Sequence, residues 1–225
     1  MRAALLSGVP HRARSGQGGH RTSSRTASSR WRLPVLTLAT LGPTVILTAT
    51  RLFTDGPLDA LRRDPSALGH GQLWRLISPV LVQSDTSLAS VVLVFAVCAV
   101  IGVYAERFLS PGRWLTLYLL GALSGHAIGE AFQPLEGGTS VAFVGILGGL
   151  AAFSILGTDP RLARWWRQAL VMIPLAVLDT ALGDIHGVPY LLGLAVGAAW
   201  TAGDAPPGRR LDLLRRSVPH AMKLL

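Results

Sequence analysis

Cysteine and charged residues are scarce in this chain of 225 residues. Cys98 is the single cysteine, which excludes a disulfide framework within the chain and any metal site built from several cysteines. Only 15% of the residues are charged, whereas soluble domains carry about 25%. Because 50% of the residues are hydrophobic, a soluble protein of this size would lack the polar residues needed to cover its core. The composition argues against a soluble enzyme and predicts a membrane protein with several spanning helices.

Acidic residues are absent from residues 1–33, which contain seven Arg among Ser, Gly, His and Thr. This segment has too little apolar surface to form a core, and its apolar stretch is too short for a secretory signal. We interpret residues 1–33 as a disordered, basic cytoplasmic arm. An organelle transit peptide, which is also rich in Arg and Ser, is the less favoured alternative.

The apolar residues fall into runs long enough to cross a bilayer, which takes about 20 helical residues. We predict an all-α membrane protein with a bundle of six transmembrane helices in residues 34–202, followed by a basic tail, 203–225. The predicted spans are 34–53, 87–105, 114–132, 139–157, 168–183 and 186–202.

The net charge of +9 could indicate nucleic-acid binding, but the positions of the charges indicate membrane topology instead. Seventeen of the 21 basic residues fall in the arm, in the loops after spans two and four, and in the tail. The other four lie on the opposite side, mostly in the long first loop, 54–86. Cytoplasmic loops hold the Lys and Arg excess, so we expect both termini in the cytoplasm. A bacterial plasma membrane is the expected location, with the lipid bilayer as a partner and no nucleic acid.

Ser140 stands out because it follows Gly137 and Gly138 at the point where span four begins. A serine at a helix start is often only an N-terminal cap. Small residues recur at Gly145 and Gly148, which places a glycine seam along one face of the helix and favours close helix packing.

His186 begins span six, which has its own glycine seam at Gly193 and Gly197. Under the predicted topology, spans four and six both enter from the outer face. Two helices with facing glycine seams approach closely, so we expect Ser140 and His186 to meet just below the outer surface. A serine and a histidine within hydrogen-bond reach form a pair of nucleophile and general base.

Other ionisable groups within the predicted spans are functional candidates, because burying them in lipid is costly. His126 and Glu130 are four residues apart and are interpreted as a polar pair within the bundle. They could join His186 as metal ligands, but no supporting motif is present, so we expect no metal and no cofactor. We interpret Asp179 as a structural polar contact, and Asp184 could be an ordinary loop acid.

Four segments in this order resemble the rhomboid family of intramembrane serine proteases. They are Gly71-Gln72-Leu73-Trp74-Arg75, Gly102-Val103-Tyr104-Ala105-Glu106-Arg107, Gly138-Thr139-Ser140 with Gly145 and Gly148, and His186 with Gly193 and Gly197. The resemblance covers roughly residues 70–200. It implies a catalytic dyad of Ser140 and His186 that cleaves other membrane proteins near the outer surface.

The chain departs from the family pattern around the nucleophile and in span two. Val141 occupies the position of the second glycine of Gly-x-Ser-Gly, where its side chain could crowd the substrate. The family's span-two His and Asn, which help to stabilise the oxyanion, are absent: residues 84–105 contain neither residue type. Losing one such donor costs about 100- to 1000-fold in rate. The Ser140 backbone N–H remains as a donor, Gly138 two residues before it supports the motif, and His126 is a further candidate.

These observations support two hypotheses of different classes. The first is a rhomboid-like intramembrane serine endopeptidase that acts on transmembrane proteins. The second is a catalytically inactive rhomboid relative that binds transmembrane partners. The retained Ser140 and His186 favour the enzyme, and Val141 with the missing span-two residues favours the binding protein.

Overall fold

The structure is a computed structural model that describes residues 33–85 and 87–204. Apart from Leu33, the predicted arm 1–33 lies outside the described residues, as does the tail 203–225 beyond residue 204. The described part of the chain is all-α and contains no strand.

Six long helices lie where the sequence predicts spans, and each helix begins and ends within a few residues of the predicted bounds. They are α1 (Val35–Ala49), α4 (Leu88–Ala105), α5 (Pro111–Phe132), α6 (Ser140–Leu156), α8 (Trp166–Ala181) and α9 (Gly187–Asp204). Three short helices accompany them: α2 (Gly56–Leu61), α3 (Pro65–Gly69) and α7 (Pro160–Ala163). Three 3₁₀ turns complete the described chain: Thr50–Leu52, Leu73–Leu76 and Ser78–Leu81.

Two of these helical segments are long and apolar enough, by length and composition, to cross a membrane: Val35–Leu52 and Leu88–Ala105. Ser140–Leu156 is a shorter apolar helix. Helix α5 has 22 residues but includes Arg113, His126 and Glu130, which lower its mean hydropathy. The number of six spans therefore stays a prediction.

Helix α6 is the centre of the bundle. Eleven of its 17 residues are buried, because α4, α5, α8 and α9 all pack around it. On the α4 and α5 side, Phe143 contacts the rings of Trp114 and Tyr118 edge-on. Such aromatic contacts add about 0.5–1.5 kcal/mol each beyond the area they bury. This packing fixes the orientation of α6 and hence of the residue at its start, Ser140.

Glycines let α6 and α9 approach until backbone touches backbone. A methyl group at Gly148 would overlap the carbonyl oxygen of Tyr190, and one at Gly193 would overlap that of Gly145. A methyl group at Gly197 would lie 2.8 Å from a backbone oxygen of α6. The four glycines named from the sequence therefore lie at or beside the closest contact between the two helices that begin at Ser140 and just after His186.

The long first loop is folded rather than irregular. Pro57 and Pro65, which resemble turn residues in the sequence, each lie in the first turn of a short helix, α2 and α3. Proline suits this position because its fixed φ angle is helical and its missing N–H has no partner there. Arg75 is buried and donates hydrogen bonds to the carbonyl oxygens of Asp59 and Arg62, which ties the two halves of the loop together.

Candidate active site

The segment before α6 is held in place by the end of the first loop. The backbone N–H of Gly138 donates to the carbonyl oxygen of Pro79 at 2.9 Å, and the N–H of Ser84 donates to that of Gly137 at 3.1 Å. The Gly137 N–H donates in return to Ser84 Oγ. These bonds run across two neighbouring segments of backbone, so the first loop determines where α6 begins.

Ser140 is the first residue of α6, but it does not act as the cap of this helix. The capping position belongs to Thr139, whose side chain makes no capping hydrogen bond. Ser140 Oγ instead lies 2.9 Å from His186 Nε2, a residue 46 positions away in the sequence. The structure thus brings together the two residues that the sequence singles out as nucleophile and base.

His186 is positioned by a tight turn between α8 and α9. Gly183 has φ +77°, a left-handed conformation that residues with a side chain rarely adopt. The next residue, Asp184, donates its backbone N–H to the carbonyl oxygen of Asp179 at 2.8 Å. The turn therefore ends α8, reverses the chain and places His186 directly before the first residue of α9.

Asp184 makes a contact that the sequence analysis missed. Its Oδ1 lies 2.8 Å from His186 Nδ1 and also 2.8 Å from the backbone nitrogen of His186. The interpretation of Asp184 as an ordinary loop acid is therefore wrong. The spacing Asp-x-His is the one signal in the sequence that could have indicated it, because an Asp side chain often accepts the N–H two residues later.

The side chains of His186 and Asp184 are partly exposed. The side chain of His186 is 36% exposed and that of Asp184 is 41% exposed. Hydrolysis requires water at the serine, and this partial exposure leaves a path by which water can reach Ser140. Among the described residues, no group of three or more His, Cys, Asp or Glu side chains could hold a metal ion.

Gln83 is a second residue that sequence reasoning missed. Its side chain is buried, and Nε2 donates to Asp85 Oδ2 at 2.7 Å, whereas Oε1 has no partner among the described residues. A Cβ atom on Gly138 would lie 3.3 Å from Gln83 Oε1, 3.8 Å from Gln83 Nε2 and 3.7 Å from Ser140 Oγ. The amide of Gln83 and the hydroxyl of Ser140 therefore flank the same space above Gly138.

The Val141 side chain, which the sequence places where it could crowd the substrate, packs instead against the neighbouring helix. The residue is fully buried, and its side chain packs against Gly125 of α5. A methyl group at Gly125 would lie 2.5–2.9 Å from three atoms of the Val141 side chain. The space that the Val141 side chain fills is thus left open by a glycine on the neighbouring helix.

His126 belongs to a different cluster. It is fully buried, and its Nδ1 lies 2.9 Å from Nη1 of Arg63 on the first loop. Arg63 also donates from Nε to the carbonyl oxygen of Gln133, and its Nη2 lies 3.7 Å from Oε2 of Glu136. Burial lowers the pKa of the Arg63 guanidinium, and the carboxylates of Glu136 and Glu130 oppose that shift. The described hydrogen bond of His126 thus anchors the first loop to α5 and does not involve Ser140.

Glu130 makes no hydrogen bond with His126. Both of its carboxylate oxygens are buried without a partner among the described residues. The spacing of four residues places His126 and Glu130 on one helix face, yet His126 finds its partner on the first loop instead.

The comparison with known families agrees with the order of these segments. The family model of the Rhomboid domain matches residues 70–206, which is more than half of the chain and contains Ser140, Asp184 and His186. No curated protein matches the chain.

Proposed function

The chain belongs to the rhomboid family, and from that membership together with the contact between Ser140 and His186 we propose that it is an intramembrane serine endopeptidase. It is an all-α integral membrane protein, as the family implies. The proposal adds that its six long helices all span the bilayer, that both termini are cytoplasmic, and that the substrates are transmembrane proteins cut near the outer face. The location proposed is a bacterial plasma membrane.

The observation that carries the proposal is the distance of 2.9 Å between Ser140 Oγ and His186 Nε2. At this distance the serine hydroxyl can donate its proton to the imidazole as Oγ attacks the peptide carbonyl carbon. His186 then returns the proton to the leaving amine, and the serine is left as an acyl ester. A water molecule, deprotonated by the same imidazole, hydrolyses the ester and restores Ser140.

The tetrahedral intermediate carries a negative oxygen that needs hydrogen-bond donors. Helix α4, whose family counterpart supplies His and Asn, offers neither residue type in this chain. The Ser140 backbone N–H at the start of α6 is one donor that we propose, because helix N-termini favour negative charge. The second N–H of Gln83 Nε2, whose other N–H is donated to Asp85, is the further donor that we propose.

A fluorophosphonate probe tests the proposal directly, because it reacts only with an activated serine. We expect purified wild-type protein in detergent to be labelled at Ser140, and the variants Ser140→Ala and His186→Ala to remain unlabelled. Ser154→Ala is the matched control: this serine lies on the same helix but donates to the carbonyl oxygen of Leu150. Its labelling should equal that of the wild type.

The alternative function is a catalytically inactive rhomboid relative that holds transmembrane partners. The observation that favours it is the lack of His and Asn in residues 84–105. If the wild-type protein stays unlabelled while an active rhomboid is labelled alongside, the protease proposal fails and the binding protein takes its place. Labelling of the His186→Ala variant at the wild-type rate would remove His186 from the role of base.

A further inference from the structure

The carboxylate of Asp184 makes a double contact with His186. One oxygen, Oδ1, accepts hydrogen bonds from the backbone N–H of His186 and from its ring nitrogen Nδ1, both at 2.8 Å. A carboxylate oxygen only accepts hydrogen bonds, so the Nδ1 beside it carries the proton. The opposite nitrogen, Nε2, is then left without a proton in the neutral ring.

The tautomer matters because Nε2 is the atom that faces Ser140 Oγ. Only an unprotonated Nε2 can accept the serine proton, and the partner of the other ring nitrogen decides which tautomer is present. Without a partner at Nδ1, the neutral ring can carry its proton on Nε2, where it cannot act as a base. After the proton has moved from Ser140 to Nε2, both ring nitrogens are protonated, and the positive ring lies against the negative carboxylate.

The turn keeps Asp184 in this position. Its backbone N–H is held by the carbonyl oxygen of Asp179, and the left-handed Gly183 precedes it. Its Oδ1 is held a second time by the backbone N–H of His186. The carboxylate is therefore fixed by bonds that do not depend on the ring.

We propose that Asp184 is a positioning residue that completes a Ser140–His186–Asp184 triad, in which it holds the imidazole in the Nδ1–H tautomer and steadies the positive ring. The inference rests on the proposed function of Ser140 and His186. Because both side chains are more than a third exposed, solvent screens their charges. Asp184 therefore acts on His186 mainly by fixing the tautomer and the orientation of the ring, and its negative charge contributes less.

Two substitutions separate the contact with the ring from the contact with the backbone. Asp184→Ser retains a short side-chain oxygen that can accept the His186 backbone N–H, but this oxygen does not extend to the ring. Asp184→Asn has a side chain of the same length, so its amide oxygen still extends to the ring, and only the charge is lost. The backbone N–H of His186 binds this oxygen and so keeps it, rather than the NH₂ group, on the side of the ring. Asp179→Ser is the matched control. Asp179 accepts the backbone N–H of Asp184 with its backbone carbonyl oxygen, which this substitution leaves in place.

The rate of fluorophosphonate labelling is the first measurement. We expect Asp184→Ser to react about 100-fold more slowly than the wild type, because it loses most of the contribution of the general base. Asp184→Asn should stay within about tenfold of the wild type, since it keeps the tautomer and loses a screened charge. The control Asp179→Ser should react at the wild-type rate. Labelling of Asp184→Ser within about threefold of the wild type would overturn the proposal.

The ring tautomer, read from the ¹⁵N shifts of histidine-labelled protein in detergent, is the second measurement. His186 is assigned by the signal that disappears in His186→Gln. We expect Nδ1–H in the wild type and in Asp184→Asn, and a shift towards Nε2–H in Asp184→Ser. A tautomer that is the same in Asp184→Ser and the wild type would mean that Asp184 only stabilises the turn, and this result would be sufficient by itself to overturn the proposal.

The second measurement does not depend on catalysis. If the wild-type protein is not labelled at all, the protease function fails. The tautomer then still decides whether Asp184 positions the ring, so failure of the function and failure of the inference give different results. Equal thermal unfolding midpoints for Asp184→Ser, Asp184→Asn and the wild type would show that the comparison is made between folded proteins.

Discussion

Val141 and Gly125 form a complementary pair next to Ser140. The valine side chain is fully buried and fills the space that a side chain at position 125 would occupy. At this position the family pattern has a glycine after the serine, and here the glycine is found on the facing helix instead. The pair keeps the bulk of Val141 away from the space where Ser140 meets His186.

This pairing predicts non-additive substitutions. We expect Gly125→Ala to destabilise the protein by about 1–3 kcal/mol, because the new methyl group overlaps Val141. Val141→Ala alone should cost about 2 kcal/mol through the cavity that it leaves. The double variant should be more stable than the sum of the two costs implies, as measured by chemical unfolding in detergent. Strictly additive costs would show that the two residues are not in contact.

At the scale of the helices, α6 and α9 form the frame of the site. Ser140 is the first residue of one helix, and His186 directly precedes the other. The 2.9 Å between their side chains therefore depends on how closely the two helices pack. That packing depends on Gly148 and Gly193, where a side chain would overlap the backbone of the facing helix.

A methyl group at Gly193 should disturb the site from a distance. Because it would overlap the carbonyl oxygen of Gly145, we expect Gly193→Ala to push α9 away from α6 and to separate His186 from Ser140. Labelling by the fluorophosphonate probe should fall by at least about tenfold, as misplaced catalytic groups lose rate steeply. The thermal unfolding midpoint should fall as well.

The control for this variant is Gly112→Ala, near the start of α5. A methyl group there meets nothing within 4 Å, so its labelling and unfolding midpoint should match the wild type. Wild-type labelling in Gly193→Ala would show that the site tolerates a change in the spacing of α6 and α9. It would contradict the claim that the contact between Ser140 and His186 depends on this packing.

The first loop is the element in which the sequence pattern was least informative. Residues 54–86 lack a long apolar run, which predicts a loop, yet they contain α2, α3 and two 3₁₀ turns. Buried arginines organise this region: Arg75 joins its halves, and Arg63 joins it to His126 on α5. The pattern of apolar residues cannot reveal such a segment, because polar contacts between residues distant in sequence stabilise it.

At the scale of the whole molecule, the distribution of basic residues predicts which side of the membrane each loop faces. The single cysteine, Cys98, makes this prediction testable with one reactive group at a time, starting from Cys98→Ala. Ser66 in the first loop and Thr158 in the loop after α6 are both exposed. They lie on opposite sides of the membrane in the proposed six-span topology.

We expect Ser66→Cys to react with a membrane-impermeant maleimide in intact cells, because the first loop is proposed to face outwards. Thr158→Cys should react only after the cells are opened. Reaction of both variants in intact cells would contradict the six-span topology, and so would reaction of neither variant.

The sequence alone determined the general architecture and the two central residues. Apolar runs and the distribution of arginines are properties of the chain in one dimension, so they locate the long helices and predict their direction. Ser140 and His186 could be named because each begins a segment with its own glycine spacing, which resembles the rhomboid pattern. The family match over residues 70–206 confirms that resemblance.

The tertiary structure alone decided what surrounds that pair. Asp184 contacts the ring of His186, Gln83 flanks Ser140, Val141 fills the space at Gly125, and His126 bonds to Arg63. Apart from the Asp-x-His spacing of Asp184 and His186, none of these contacts is indicated by spacing, because each depends on the direction of a side chain after the helices have packed. The physical reason is that periodicity reports which face of a helix a residue occupies, whereas a hydrogen bond depends on distances of a few tenths of an ångström.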